Sequence, residues 1–198
     1  LVNEAIKTRS NIIQIFVTEQ FVKSDHGKEI EKHVMTRGIK IFRAPAKAME
    51  RVSQNKTSPG ILAALSMDHK KDINTLSTSK DNVLLFDQVS DPGNMGSLIR
   101  SAAWFGIEHV GMSKNCVDIY NSKVLKSSMG ALFYMKSVVI DDMANIIGAL
   151  KDSKSTILGS YMDGKSIKSL RMGKKRWALV LGSEAHGISQ EVGAMVDH

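Results

Sequence analysis

The chain has 198 residues, of which 42% are apolar and 24% charged, and this suits a globular protein of one domain or two small ones rather than a disordered chain. A single cysteine, Cys116, excludes an internal disulfide and a multi-cysteine zinc site, and no apolar run approaches the roughly 18 residues of a membrane span. We therefore expect no membrane partner and a reducing intracellular compartment, the cytoplasm first, with a mitochondrion or plastid as alternatives.

Positive charge is unevenly distributed along the chain. The formal net charge is +7; residues 1–80 hold 14 basic and 8 acidic side chains, whereas residues 81–198 hold 13 and 12. A basic excess favours a polyanionic partner, because lysine and arginine displace the counterions condensed on phosphates. Many basic proteins bind no nucleic acid, so charge alone leaves both interpretations open.

The first 75 residues alternate between short helices and strands. Apolar spacing predicts helices over 2–7, 28–36 and 46–54, and β-branched or apolar runs predict strands over 12–18, 39–42 and 61–67. This alternation predicts a small α/β domain over residues 1–75, without a phosphate loop or metal-ligand spacing. The polar residues that follow lack an apolar period, and we place a linker at 76–82.

The second domain, residues 83–198, opens on a strand, a tight turn and a helix. The strand is predicted over 83–89, and Asn94 is a good N-cap for the helix that follows. Ligands collect at such a junction because the first N–H groups of a helix lack partners. Asn94 lies at this junction, and Arg100 lies further along the helix. The alternative is that Asn94 is only a cap and Arg100 only a solvated charge.

Helix and strand patterns continue to alternate, which makes the whole chain an α/β protein. They predict helices over 121–129 and 141–150, a strand ending near residue 140, and strands over 108–112, 156–162 and 177–181. In the strand over 156–162, Gly159 provides space where a ligand would approach the backbone. The last strand leads into G-S-E-A-H-G-I-S, where two glycines allow close approach of a ligand and Glu184 supplies a carboxylate.

This loop does not match the common phosphate-binding motifs. It lacks the lysine of a Walker A loop, and G-x-G-x-x-G is absent from the chain. A small-molecule nucleotide enzyme is therefore disfavoured. His186 is isolated, so a structural or exposed histidine is favoured over a base or a metal ligand, and no metal site is predicted.

Two signature motifs and one stretch of the first domain carry a resemblance to a known family. D-P-G-N-M-G-S-L-I-R-S-A, residues 91–102, resembles the first signature of the SpoU/TrmH family of RNA ribose 2′-O-methyltransferases, D-P-x-N-x-G-x-x-x-R-x-A after a strand. L-V-L-G-S-E-A-H-G-I-S, residues 179–189, resembles the second signature, a strand ending in L-G-x-E-x-x-G. V-S-Q-N-K-T-S-P-G-I-L-A-A-L, residues 52–65, is similar to the end of the L30e-like RNA-binding domain that precedes many SpoU domains.

The resemblance implies a fold, a cofactor and partners. It implies a small L30e-like substrate-binding domain before a SPOUT-type domain with a mostly parallel sheet, in which a C-terminal segment closes a deep trefoil knot. It further implies that S-adenosylmethionine transfers a methyl group to a ribose 2′-hydroxyl of structured RNA, with ribosomal RNA favoured over transfer RNA. Family members pair as homodimers with the sites near the interface.

The resemblance also implies roles for single residues at the reaction site. Asn94, Arg100 and Glu184 match the polar residues that the family uses there. The family proposal of an arginine base is physically awkward, because a free guanidinium stays protonated at ordinary pH. Our hypothesis is that Arg100 holds the phosphate beside the target ribose by paired N–H contacts.

Further positions match the cofactor and RNA sides of the family's site. Leu181 and Gly182, and less closely Gly159, match backbone positions near the cofactor. Ser128 lies in S-M-G-A-L-F, which resembles a segment whose serine and glycine line the substrate side and implies an RNA contact. The alternative is that the glycine of this segment merely ends a helix.

One family feature is missing from this sequence. The third signature, a proline-containing strand and a helix bearing serine and asparagine, is expected directly after residue 198. We expect the natural chain to begin before Leu1 and to extend beyond His198. The alternative is a shortened relative, a non-catalytic RNA-binding or ribosome-assembly module that keeps the fold without binding the cofactor.

Overall fold

The computed structural model describes residues 1–8, 10–53, 57–66, 73–171, 173 and 175–198. The predicted ends of a helix at residue 54 and of a strand at residue 67 lie outside this described part. The chain divides into two compact units, Leu1–His69 and Lys70–His198. No helix in the described residues is long and apolar enough to cross a bilayer.

The first unit is a three-stranded sheet with short helices. Its sheet has the order β2 (Lys40–Arg43), β1 (Ile12–Val17) and β3 (Ile61–Leu65), with β1 and β2 parallel and β1 and β3 antiparallel. The longest helix begins where the Ser24 hydroxyl accepts a bond from the Gly27 N–H at 3.0 Å, and it buries Ile30 and Val34, which are four residues apart. The elements are α1 Val2–Lys7, β1 Ile12–Val17, α2 Glu19–Lys23, α3 Asp25–Met35, β2 Lys40–Arg43, α4 Ala46–Val52 and β3 Ile61–Leu65.

The second unit is a parallel sheet flanked by helices. Its five strands have the order β6 (Lys136–Ile140), β5 (His109–Ser113), β4 (Val83–Asp87), β8 (Trp177–Gly182) and β7 (Thr156–Gly159), and every neighbouring pair is parallel. The predicted α/β class with a mostly parallel sheet is confirmed. Its elements are α5 Asn74–Thr78, β4 Val83–Asp87, α6 Pro92–Trp104, β5 His109–Ser113, α7 Ser122–Ser127, β6 Lys136–Ile140, α8 Met143–Asp152, β7 Thr156–Gly159, β8 Trp177–Gly182 and α9 Gln190–Gly193, with 3₁₀ turns at Ala131–Tyr134 and Ile167–Ser169.

The centre of this sheet is where the order of the strands reverses. All five residues of β4 are buried, and β5 lies on one side of it while β8, far along the chain, lies on the other. Asp87 at the end of β4 is in register with Gly182 at the end of β8. The two loops that leave these strands therefore start side by side, at the position where open α/β sheets form a ligand crevice.

Helix α5 occupies part of the stretch predicted as a linker. Its Leu76 is fully buried in the core of the second unit. The Arg176 guanidinium donates hydrogen bonds to the Asp81 carbonyl at 2.7 Å and the Ser77 carbonyl at 3.0 Å. Asp81 also lies 3.2 Å from Nε2 of buried His109, whose pKa is lowered by desolvation. Residues 76–82 therefore differ from the expected linker, because packing and an arginine remote in sequence hold them on the second unit.

Candidate active site

The helix after β4 begins earlier than predicted. Asp91, not Asn94, is the N-cap: its Oδ1 accepts a hydrogen bond from the Asn94 N–H at 2.7 Å. Pro92 takes the first helical position, where its missing N–H costs nothing. The prediction that Asn94 caps α6 is wrong, and the correction matters because the Asn94 side chain is not engaged in capping.

The loop after β8 folds back on the end of its strand. Ser183 and Gly187 exchange two backbone hydrogen bonds of 2.9 and 2.8 Å, and Gly187 has a φ of +70°, which suits glycine. The backbone of Gly187 and Ile188 lies where a Cβ on Gly182 would stand. Gly182 is therefore required for this tight loop, which presents Glu184 to solvent.

Asn94 and Glu184 meet across these two turns. The Asn94 Nδ2 donates a hydrogen bond to Glu184 Oε1 at 2.9 Å, although 90 positions separate the residues in the chain. Both side chains are exposed. The pair fixes one carboxylate oxygen, and the second oxygen has no hydrogen bond with a described residue.

A cleft of about 700 Å³ opens beside this pair. Its size lies in the usual range of small-ligand sites. The predicted cofactor positions Leu181 and Gly182 lie in its wall. The cleft is lined by one face of α6, the start of the segment after β7, and the loop after β8: Asn94, Ser97, Leu98, Ser101, Ser160, Tyr161, Met162, Leu181, Gly182, Ser183, Glu184, Ala185, His186 and Gly187. No group of three potential metal-ligating side chains occurs within the described ranges.

Arg100 is not brought to the Asn94–Glu184 pair within this chain. It is exposed, is not part of the cleft wall, and has no hydrogen bond or ion pair with a described residue. The helical repeat explains this, since a turn takes about 3.6 residues and Arg100 is rotated away from the face that carries Asn94 and Ser101. Its hypothesised phosphate contact would lie outside the cleft of its own chain.

Two other predicted site residues, Ser128 and Gly159, pack against the protein itself and do not face an open surface. Ser128 is fully buried, and its hydroxyl donates to the Leu125 carbonyl at 3.0 Å, which is incompatible with a direct RNA contact. A Cβ at Gly159 would meet the side chains of Tyr161, Val196 and Ile188. The space at Gly159 is thus filled by the protein, and Gly159 does not line the cleft.

Asp87 is a positioning residue that the sequence analysis missed. It is 3% exposed, and its Oδ2 accepts a hydrogen bond from the Ser189 N–H at 2.8 Å. This contact ties the loop of Glu184 to the strand that leads to Asn94. The sequence does indicate this role, because Asp87 ends an otherwise apolar strand and an acidic side chain is rarely buried without a hydrogen-bond partner.

The chain matches known families over almost its whole length. Residues 81–198 match the sequence model of the SpoU rRNA methylase family, which exceeds half of the chain. The chain belongs to this family. Residues 1–71 match the model described as RNA 2′-O ribose methyltransferase substrate binding. The resemblance drawn from residues 91–102 and 179–189 is confirmed at the level of the family, and both segments lie within the matched range.

Individual relatives agree with membership of the SpoU family. A protein of Borreliella burgdorferi named as an uncharacterized tRNA/rRNA methyltransferase is 30% identical over 178 residues, covering 84% of this chain and 78% of that protein. The 23S rRNA (guanosine(2553)-2′-O)-methyltransferase RlmP of Bacillus subtilis is 28% identical over 189 residues, covering 95% and 70%. The SpoU methyltransferase AviRb of Streptomyces viridochromogenes, solved in complex with AdoMet, has the same fold: TM-score 0.82, 20% identity, and coverage of 100% of this chain and 76% of that chain.

Proposed function

We propose that this SpoU-family RNA methyltransferase transfers a methyl group from S-adenosylmethionine to a ribose 2′-hydroxyl of structured ribosomal RNA. The observation that carries the proposal is the 2.9 Å hydrogen bond between Asn94 and Glu184 in the wall of the cleft. It joins two polar side chains on the segments that follow two adjacent strands, β4 and β8. The ribosomal substrate is supported by the B. subtilis relative, which is named as a 23S rRNA 2′-O-methyltransferase.

The cleft suits S-adenosylmethionine in size and chemistry. Backbone groups of Leu181 and Gly182 can bind polar edges of the cofactor, and Leu98 and Met162 offer apolar surface to its adenine ring. When bound, the cofactor supplies a methyl group on a positively charged sulfur. The solved relatives AviRb and an rRNA methyltransferase of Sinorhizobium meliloti are described with AdoMet bound.

The protein's own groups would align the ribose and take up the proton that its 2′-hydroxyl loses on methylation. Asn94 orients the Glu184 carboxylate through Oε1, so that the remaining oxygen can accept a hydrogen bond from the 2′-hydroxyl. Holding that hydroxyl in line with the methyl group is the main task, because alignment alone removes much of the barrier of a two-body reaction. Arg100 would bind the neighbouring phosphate, as the first signature implies.

The family resemblance supports two further parts of this proposal. Residues 1–71, which match the substrate-binding family and hold 13 basic against 7 acidic side chains, would help to select the RNA. Two chains would pair as a homodimer, so that an exposed Arg100 could serve a site near the interface. The trefoil knot and the cytoplasmic location stay predictions.

Methyl transfer to ribosomal RNA tests the proposed function directly. We expect the full-length protein to bind S-adenosylmethionine with saturable heat in calorimetry and to incorporate labelled methyl groups into protein-free ribosomal RNA. Digestion to nucleosides should place the label on 2′-O-methylated ribose. Label on a base would overturn the 2′-hydroxyl assignment. RNA binding without cofactor binding would instead support the alternative, a non-catalytic ribosome-assembly module.

Replacing Arg100 with lysine tests the phosphate contact. Lysine keeps the charge but loses the planar fork that pairs with two phosphate oxygens. We expect Arg100→Lys to lower kcat/KM for RNA about tenfold, the loss of roughly one charge-assisted hydrogen bond. The affinity for S-adenosylmethionine, measured by calorimetry, should stay unchanged because Arg100 lies outside the cleft. Near-normal methylation by this variant would contradict the contact.

A further inference from the structure

We propose that residues 163–171, which we call the basic segment, bind phosphates of the RNA strand whose ribose enters the cleft. This inference rests on the proposed function and adds an RNA-binding surface on the second unit itself. The basic segment contains Lys165, Lys168 and Arg171 against a single acid, Asp163. The regular interval of three residues spaces the positive charges along the segment.

The start of the basic segment is fixed at the cleft. After β7 ends at Gly159, the Ser160 N–H donates to the Val180 carbonyl at 3.1 Å. The Tyr161 side chain then packs against Gly159 and Gly193, where a Cβ on either glycine would collide with it. Ser160, Tyr161 and Met162 line the cleft, so the basic segment leaves directly from its edge.

The charges of the basic segment are exposed and have no ion-pair partner in the described part of the chain. The side chains of Lys165, Lys168 and Arg171 form no ion pair with any residue that the structure describes, and all three residues are exposed. Elsewhere in the same unit, Lys114 pairs with Asp141 at 3.3 Å and Lys136 pairs with Glu108 at 2.9 Å. A row of unpaired like charges repels itself, and a polyanion would relieve that repulsion.

The basic segment has local order and apolar surface as well as charge. The Ser169 hydroxyl donates to the Ser166 carbonyl at 2.7 Å around the 3₁₀ turn Ile167–Ser169. Ile167 within the turn is 76% exposed and Met162 before it is fully exposed, while the Tyr161 ring is 43% exposed. Cations beside exposed aromatic and apolar side chains suit single-stranded RNA, because bases stack on such groups while phosphates bind the cations.

A charge-matched pair of variants tests the basic segment. We compare Lys165→Ala/Lys168→Ala with Lys80→Ala/Lys154→Ala in the full-length protein, since both remove two exposed lysines that have no ion pair with a described residue. Lys80 precedes β4 and Lys154 precedes β7, so the control lysines lie at the amino ends of the strands, away from the cleft. The probe is a fluorescein-labelled RNA hairpin with a single-stranded loop, titrated by anisotropy at several salt concentrations without cofactor.

We expect the segment variant to bind this RNA on the order of tenfold more weakly. The negative slope of log K against log salt concentration should become shallower by about 1.4, the value for two lost single-strand phosphate contacts. The control variant should bind like the unmodified protein, and Lys165→Arg/Lys168→Arg should restore binding. Equal losses in both alanine variants, no loss in the segment variant, or no binding by the unmodified protein would overturn the proposal.

Methyl-transfer assays separate this proposal from the proposed function. With both correct, the segment variant should show a raised KM for RNA and a nearly unchanged kcat. If neither the unmodified protein nor any variant methylates RNA, but the segment variant still binds RNA more weakly than the control, the basic segment is an RNA-binding surface and the methylation proposal is wrong. If the segment variant and the unmodified protein methylate limiting RNA equally well, the basic segment does not bind the substrate RNA and the methylation proposal is retained.

Discussion

Replacing Asn94 with alanine is expected to reduce methyl transfer about a hundredfold, the usual cost of losing one preorganised polar group from a reaction site. The change removes the 2.9 Å hydrogen bond that orients Glu184. Stability should change little, because both side chains are exposed and the backbone N–H of residue 94 still bonds to Asp91. Single-turnover methylation of ribosomal RNA with labelled cofactor measures the effect.

The double-mutant cycle with Glu184→Ala shows whether the two residues act as a pair. Groups in direct contact are not additive, so Asn94→Ala should cost little once Glu184 is already alanine. Glu184→Gln, which keeps an oxygen acceptor for Asn94 but removes the charge, separates orientation from proton handling. Strictly additive losses would show that the two residues do not work through their shared hydrogen bond.

Replacing Gly182 with alanine should abolish methyl transfer and destabilise the second unit. Its Cβ would occupy the positions of the Gly187 and Ile188 backbone, which cannot swing away as a flexible side chain could. We expect a loss of about 3 kcal/mol, the upper range for overpacking a tight site, and activity lower by at least about a hundredfold. Methylation assays and thermal unfolding followed by circular dichroism measure the two effects.

Gly148→Ala is the matched control for this substitution. Gly148 lies within α8, and nothing stands within 4 Å of the Cβ it would gain. Alanine should stabilise the helix by about 0.5–1 kcal/mol because glycine loses more backbone entropy on folding. Normal activity and normal unfolding of Gly182→Ala would show that the loop after β8 can rearrange at little cost, and would remove the argument for its tight geometry.

Together these variants distinguish a catalytic protein from a binding module of the same fold. A module that only binds RNA would keep its RNA affinity in Asn94→Ala, since Asn94 and Glu184 are exposed at the cleft and their hydrogen bond is not needed for folding. The Gly182→Ala variant would still unfold more easily in either case. Activity and stability therefore report separately on the two interpretations of the chain.

The local sequence was sufficient to predict the strand and helix around the first signature, although it misplaced the cap. Asp91 and Asn94 are both good N-caps, and the preference of proline for the first helical position favours Asp91. The short helices α2 and α5 were not predicted. Each has five residues, too few to be stable alone, and α5 depends on burying Leu76 and on the hydrogen bonds of Arg176.

By itself, the sequence determined the alternating α/β pattern, the two signature turns and the chemical groups that they carry, because these depend on residues close together in the chain. Only the tertiary structure decided that β8 lies beside β4, so that Asn94 meets Glu184 while Arg100 faces away and Ser128 is buried. The order of strands and the direction of each helical face depend on backbone ladders and core packing between segments remote in sequence, which no local pattern specifies.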